Sequence, residues 1–192
     1  MKKRKNNRGI LTGKHILIGM TGSIACYKAV ELISKLKKEK ADINVIMTNN
    51  ATKFISPLTL QTISGSQVYY DMFSSVKNFD CLHIGLSKKA DILCIVPATA
   101  NFIAKLAYGF ADDLLTTVAL DCKCPILIAP AMHKHMFENI VTKKNISILK
   151  ERGVHFIGPV VGTLSSGEEG IGRLIDIEQI IIKIKSILKK KI

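Results

Sequence analysis

Short apolar runs alternate with amphipathic stretches along nearly the whole chain, and this alternation restricts the fold more than any other feature. His15-Ile-Leu-Ile-Gly-Met20 reads as a short buried strand. From Ile24 to Lys40, Ala25, Ala29, Leu32, Ile33 and Leu36 fall on one helical face. Ile43–Met47, Asp91–Val96, Pro125–Ala129 and Val154–Ile157 read as further strands. Helices are predicted from Pro57 to Ile63, opened by Ser56, from Phe102 to Tyr108, after a cap at Asp112, from Asn139 to Arg152, and from Ile175 to Lys191. Apolar strands joined through amphipathic helices imply a three-layer, doubly wound α/β fold with a parallel sheet. The stretch from Gly162 to Arg173, with four glycines, reads as a long loop of the kind that closes over sites.

The chain has 192 residues, enough for one domain, and 47% hydrophobic residues supply its core. Its formal charge of +13 first suggests nucleic acid. The position of that charge argues otherwise. Lys2, Lys3, Arg4, Lys5, Arg8 and Lys14 lie at one end, and Lys183, Lys185, Lys189, Lys190 and Lys191 at the other. The remaining 17 basic and 15 acidic residues leave a net of only +2. We therefore divide the chain into a basic tail, 1–13, and a domain, 14–192, with no nucleic-acid partner expected. Five cysteines without zinc-site spacing suit a reducing cytoplasm, and Cys94 reads as a core residue. No apolar run reaches membrane-spanning length, so no membrane partner is expected.

In such a sheet, ligands bind beyond the carboxyl ends of the strands. The turn Thr21-Gly22-Ser23 leads straight into a helix, whose N-terminal N–H groups suit a phosphate. Ser23 and Thr48 offer hydroxyl hydrogen bonds. The turn alone is equally compatible with an ordinary strand–helix connection. It matches neither G-x-G-x-x-G nor a Walker loop. His83 alone reads as a partly buried or surface histidine, while His133 and His135 at i, i+2 make a poor metal pair, and no metal is expected.

Several ordered segments together resemble the homo-oligomeric flavin-containing cysteine decarboxylases, closest to those acting on phosphopantothenoylcysteine. They are Gly19-Met-Thr-Gly-Ser-Ile-Ala-Cys-Tyr-Lys28, His83-Ile-Gly-Leu86, Pro97 to Ala107, Gly109 to Thr117, Pro130-Ala-Met132 and Gly167 to Arg173. The resemblance covers about residues 14 to 175 and implies a flavodoxin-like/Rossmann-like fold with FMN as cofactor. FMN contacts then fall on Gly22, Ser23, Ile24, Thr48, Ala98, Thr99, Ala100, Asn101 and Ala131. The family's active-site histidine falls on His83, suited to proton transfer near neutral pH. The resemblance further implies a small-molecule thiol substrate, decarboxylated to an enethiol and then reduced: 4′-phosphopantothenoylcysteine giving 4′-phosphopantetheine in coenzyme A biosynthesis. It implies a homotrimer or dodecamer with active sites at subunit interfaces. As the chain lacks the synthetase half of the bifunctional form, a separate phosphopantothenate–cysteine ligase is expected.

Two positions depart from the pattern. His133 stands where the family usually has the asparagine that binds the substrate carboxylate; an imidazole also hydrogen-bonds a carboxylate, and more strongly as a cation. Ser166 stands where the coenzyme A enzymes carry the lid cysteine that donates a proton in the last reduction, and a hydroxyl is a far weaker acid than a thiol. Two alternatives stay open: an oxidative decarboxylase of a peptidyl cysteine that stops at the enethiol, and a flavin-binding regulatory paralogue without turnover.

Overall fold

Along β1 (His15–Met20), Ile16, Ile18 and Met20 pack into one core and Leu17 into a second, on the opposite face of the sheet. The same alternation runs through β2 (Asp42–Met47), where Ile43, Val45 and Met47 oppose Ile46. In β4 (Ile92–Ala98), Ile92, Cys94 and Val96 oppose Leu93 and Ile95. In β5 (Ile126–Pro130), Leu127 and Ala129 oppose Ile128. Strands apolar on both faces must be covered on both, which requires three layers. The computed structural model describes residues 9–73 and 81–189.

These strands, with the short β3 (Val68–Tyr69) and β6 (His155–Phe156), form a six-stranded parallel sheet ordered β3-β2-β1-β4-β5-β6. The order reverses between β1 and β4, the switch point of a doubly wound sheet. Helix α1 (Cys26–Lys38) buries Ala29, Leu32, Ile33 and Leu36 in the first core. Helix α8 (Ile177–Lys189) lies beside it and adds Ile180, Ile181, Ile184 and Leu188. The second core is covered by α4 (Ala100–Tyr108), α5 (Leu114–Asp121) and α7 (Ile140–Glu151). Helix α2 (Pro57–Ser64) begins as predicted, with Ser56 Oγ accepting the Leu58 N–H at 3.2 Å, and ends at the left-handed Gly65.

The structure corrects the sequence reading in several places. Asp113, not Asp112, caps α5: its backbone is extended and its carboxylate accepts the Thr116 N–H at 2.8 Å. Asp112 instead pairs with Lys105 Nζ at 2.5 Å, which holds its carboxyl below the usual carboxylate range. Strand β3 and helices α3 (Leu82–Lys89) and α6 (Lys134–Glu138) had no clear periodicity to announce them. The predicted loop from Gly162 to Arg173 belongs to an antiparallel hairpin of β7 (Val160–Thr163) and β8 (Glu169–Arg173). Ahead of β1, Leu11 is fully buried in the first core. The first eight residues of the basic tail lie outside the described residues. Among the described residues, no helix is long and apolar enough to cross a membrane.

Candidate active site

A cleft of about 740 Å³ opens at the switch point. One wall is the loop after β1 and the first turns of α1, contributing Gly22, Ser23, Ile24, Tyr27 and Lys28. Thr99, at the end of β4, forms part of the floor. The loop after β5 adds Ala131, Met132 and His133, and the hairpin covers them with Thr163, Leu164, Ser165 and Arg173.

Thr21, almost wholly buried, fixes the floor. Its hydroxyl donates to Pro97 O at 2.9 Å and accepts the Thr99 N–H at 2.9 Å. The next strand is tied in turn, as the Ala131 N–H donates to Ala98 O at 2.9 Å. Gly22 is required by a close approach: a Cβ there would lie 2.5 Å from Asn50 Cβ. The Ser23 hydroxyl accepts the Ala25 N–H at 3.3 Å. Helix α1 carries no acidic side chain in its first turn, which leaves the positive end of its dipole unopposed and suited to an anion.

The hairpin is seated on the β5 loop through backbone contact. The Met132 N–H donates to Gly172 O at 3.0 Å, and any Cβ at Gly172 would collide with Met132 O. At the tip, the Leu164 N–H donates to Glu168 O at 2.8 Å. From there Glu168 reaches across to the loop, placing Oε2 3.3 Å from His133 Nε2. The charged and imidazole side chains of the cleft wall are Lys28, Arg173 and His133, and among the described residues no Asp or Glu lines it. Such a wall favours anionic ligands.

Of the residues singled out from sequence, Gly22, Ser23, Ile24, Thr99, Ala131 and His133 come together here. Thr48, Ala98, Ala100 and Asn101 lie beside the cleft without lining it. The Thr48 hydroxyl accepts the Ala51 N–H at 3.3 Å, Ala98 is buried as the last residue of β4, and Ala100 and Asn101 open α4. Ser166 is exposed at the hairpin tip, where Ser165 rather than Ser166 faces the cleft. His83 is half-buried on α3 and does not line the cleft of its own chain. Tyr27, Lys28, Met132, Leu164 and Arg173 line the site without having been named for it. Lys28 and Arg173 do stand inside the segments that carry the resemblance, and their charge at a strand–helix turn and at the end of Gly170-Ile-Gly-Arg173 was the available signal.

A family model described as Flavoprotein matches residues 4–189. The chain belongs to the Flavoprotein family. The coenzyme A biosynthesis bifunctional protein CoaBC of Haemophilus influenzae is 41% identical over 181 residues, which are 94% of this chain and 45% of that protein. The chain thus spans under half the length of the bifunctional relatives. A probable phosphopantothenoylcysteine decarboxylase of Streptococcus mutans is 44% identical over 174 residues, 90% of this chain and 97% of that one. Among solved structures, a cysteine-to-serine mutant of PPC decarboxylase complexed with pantothenoylaminoethenethiol superposes with a TM-score of 0.86 at 28% identity, covering 92% of this chain and 99% of that one. The FMN-dependent cysteine decarboxylase SpaF superposes with a TM-score of 0.82 at 28% identity, covering 95% and 98%.

The cleft of this Flavoprotein-family chain fits a phosphate-ended flavin. Its volume lies in the usual range for cofactor sites, roughly 300–1,000 Å³. The Gly22 turn and the acid-free N-terminus of α1 suit the phosphate, and the apolar Ala131 and Met132 suit a ring system.

Proposed function

We propose that the chain is an FMN-dependent decarboxylase that converts 4′-phosphopantothenoylcysteine to 4′-phosphopantetheine in the cytoplasm, as a step of coenzyme A biosynthesis. The observation that carries this reading is the likeness to the Streptococcus mutans decarboxylase along almost its whole length.

When bound, the flavin supplies reversible two-electron chemistry at the substrate cysteine. The chain's own residues do the rest. Gly22, Ser23 and Ile24 hold the phosphate end, and Thr99 and Ala131 border the ring. His133 takes the substrate carboxylate, with Lys28 and Arg173 adding positive potential. The hairpin excludes water from the reacting thiol. His83 moves the proton; because it does not line the cleft of its own chain, we read the task as that of His83 from a second copy in a homo-oligomer, a trimer or a dodecamer of trimers. Thr48, Ala98, Ala100 and Asn101 support the cofactor loops from behind.

The test is direct. Purified holoprotein, given the substrate anaerobically, releases CO₂ and yields 4′-phosphopantetheine by mass spectrometry. Absence of CO₂ removes the reading. A second reading, release at the enethiol, is favoured by the hairpin tip, which carries Ser165 and Ser166 and no thiol. Its product is two hydrogens lighter, so the same mass spectrum separates the two.

A further inference from the structure

Two basic side chains of the cleft wall, Arg173 and His133, face carboxylates supplied by the chain itself. Arg173 Nη2 lies 3.8 Å from Asp176 Oδ1, and His133 Nε2 lies 3.3 Å from Glu168 Oε2. The first pair is local, i to i+3, at the base of the hairpin. The second joins the hairpin tip to the β5 loop, and it engages the side chain assigned above to an incoming carboxylate.

We propose that Glu168 occupies the acid-binding position of this site, so that a substrate carboxylate must displace it from His133. The proposal rests on the decarboxylase reading for the identity of the substrate; the competition itself rests on the geometry alone.

The contact is built to be displaced rather than to hold the hairpin shut. The hairpin is seated by the Met132–Gly172 backbone bond and by Gly170 packed against the Lys134 stem. None of these contacts needs Glu168. The Glu168 side chain is 62% exposed, so water accepts it readily on release, and an ion pair this exposed contributes little to stability. The His133 ring, by contrast, is held on its loop with His135 tilted beside it at 5.3 Å and Lys134 next in sequence. These neighbours are basic, so Glu168 is the only carboxylate that the described residues bring to this imidazole. A carboxylate on the substrate offers the same charge and the same oxygen geometry, and it carries additional contacts deeper in the cleft.

The experiment uses the FMN-loaded protein, Glu168→Gln, His133→Asn and the double variant, and follows KM for 4′-phosphopantothenoylcysteine. Removing the competing charge is expected to lower KM by about two- to fivefold, the scale of an exposed ion pair, with the change falling on KM rather than kcat. In the His133→Asn background the same substitution is expected to have no effect. A second arm needs no turnover. Ring resonances of labelled histidine, with His133 assigned from His133→Asn, are titrated with N-acetylalanine, a carboxylate without a thiol. The His133 signal is expected to respond at lower concentration in Glu168→Gln. An unchanged or raised KM with an unchanged titration overturns the proposal, as does a Glu168→Gln effect that survives in the His133→Asn background. Should the protein prove inactive on this substrate, the decarboxylase reading fails while the resonance arm still decides the role of Glu168.

Discussion

Thr21 and Thr99 meet through a single hydrogen bond, the Thr99 N–H donating to Thr21 Oγ1 at 2.9 Å, and this bond joins the loops that follow β1 and β4. The same hydroxyl donates to Pro97 O at 2.9 Å. Thr21→Val keeps the shape and leaves the Thr99 N–H without its acceptor, at about 1–3 kcal/mol for a group left unsatisfied, while Pro97 O keeps the Thr21 N–H at 3.3 Å. Thr21→Ser keeps the hydroxyl. We expect Thr21→Val to weaken FMN binding about tenfold or more and Thr21→Ser to restore most of it. Flavin fluorescence titration measures the affinity, and equal affinity in all three proteins would separate this bond from the cofactor site.

Gly172 lies so close to Met132 O that no side chain fits. Gly172→Ala is expected to lift the hairpin from the β5 loop, with a cost on the order of 1–3 kcal/mol for an overpacked contact. FMN held from the α1 side should remain bound while decarboxylation falls sharply. Limited proteolysis between Gly162 and Arg173 should quicken in parallel. A hairpin no more susceptible than in the parent protein would show that the collision is absorbed elsewhere.

The thiols differ in their surroundings, and alkylation should report it. Burial raises the Cys94 thiol well above the ordinary range, with Cys124 adding to the effect. Burial also raises Cys26, although a backbone hydrogen bond partly opposes it. Cys122 is raised by its hydrogen bond with Cys124 and by burial. A raised thiol carries less thiolate at a given pH and reacts more slowly. Cys81 is exposed. At about pH 8, near the pKa of a free thiol, iodoacetamide should label Cys81 first and reach Cys26, Cys94 and Cys124 only after unfolding. Peptide mass mapping over time gives the order.

Ser166 sits exposed at the hairpin tip, its hydroxyl accepting the Glu168 N–H at 3.5 Å. A thiol there, about 8.5 in pKa when unperturbed, is a far better proton donor. Ser166→Cys is expected to raise the ratio of fully reduced product to enethiol. Mass spectrometry reads that ratio, and an unchanged value would place the last proton elsewhere.

The sheet was legible because short continuous apolar runs between helical stripes leave few arrangements open. Ser56 likewise begins a helix through chemistry visible in one or two residues. The hairpin was not legible: Gly162, Gly167, Gly170 and Gly172 suggest a loop by composition, and only the packing of Gly170 and Gly172 on the β5 loop explains them. Helix α3 was missed because Leu82–Lys89 has a weak apolar stripe. Among the residues lining the cleft, Ser23 was singled out through its turn after a strand, and Thr99 and His133 through the family resemblance. Glu168 was invisible because its partner lies 35 positions earlier, across a tertiary contact.

The separation of His83 from the cleft leads to the last prediction. His83 stands on α3, which packs against α5, whereas His133 follows β5 at the cleft wall. If each site takes His83 from one copy and His133 from another, a chain defective in one residue still completes a site with a chain defective in the other. His83→Asn and His133→Ala should each abolish decarboxylation while retaining FMN. Unfolded together in equal amounts and refolded with FMN, they should regain roughly a quarter of the parent activity, since random mixing places both intact residues at that fraction of shared sites. Refolding each variant alone controls for loss during the procedure. Recovery confined to the parent protein, with oligomers of mixed composition verified by mass, would return His83 to a site within its own chain or remove it from the reaction.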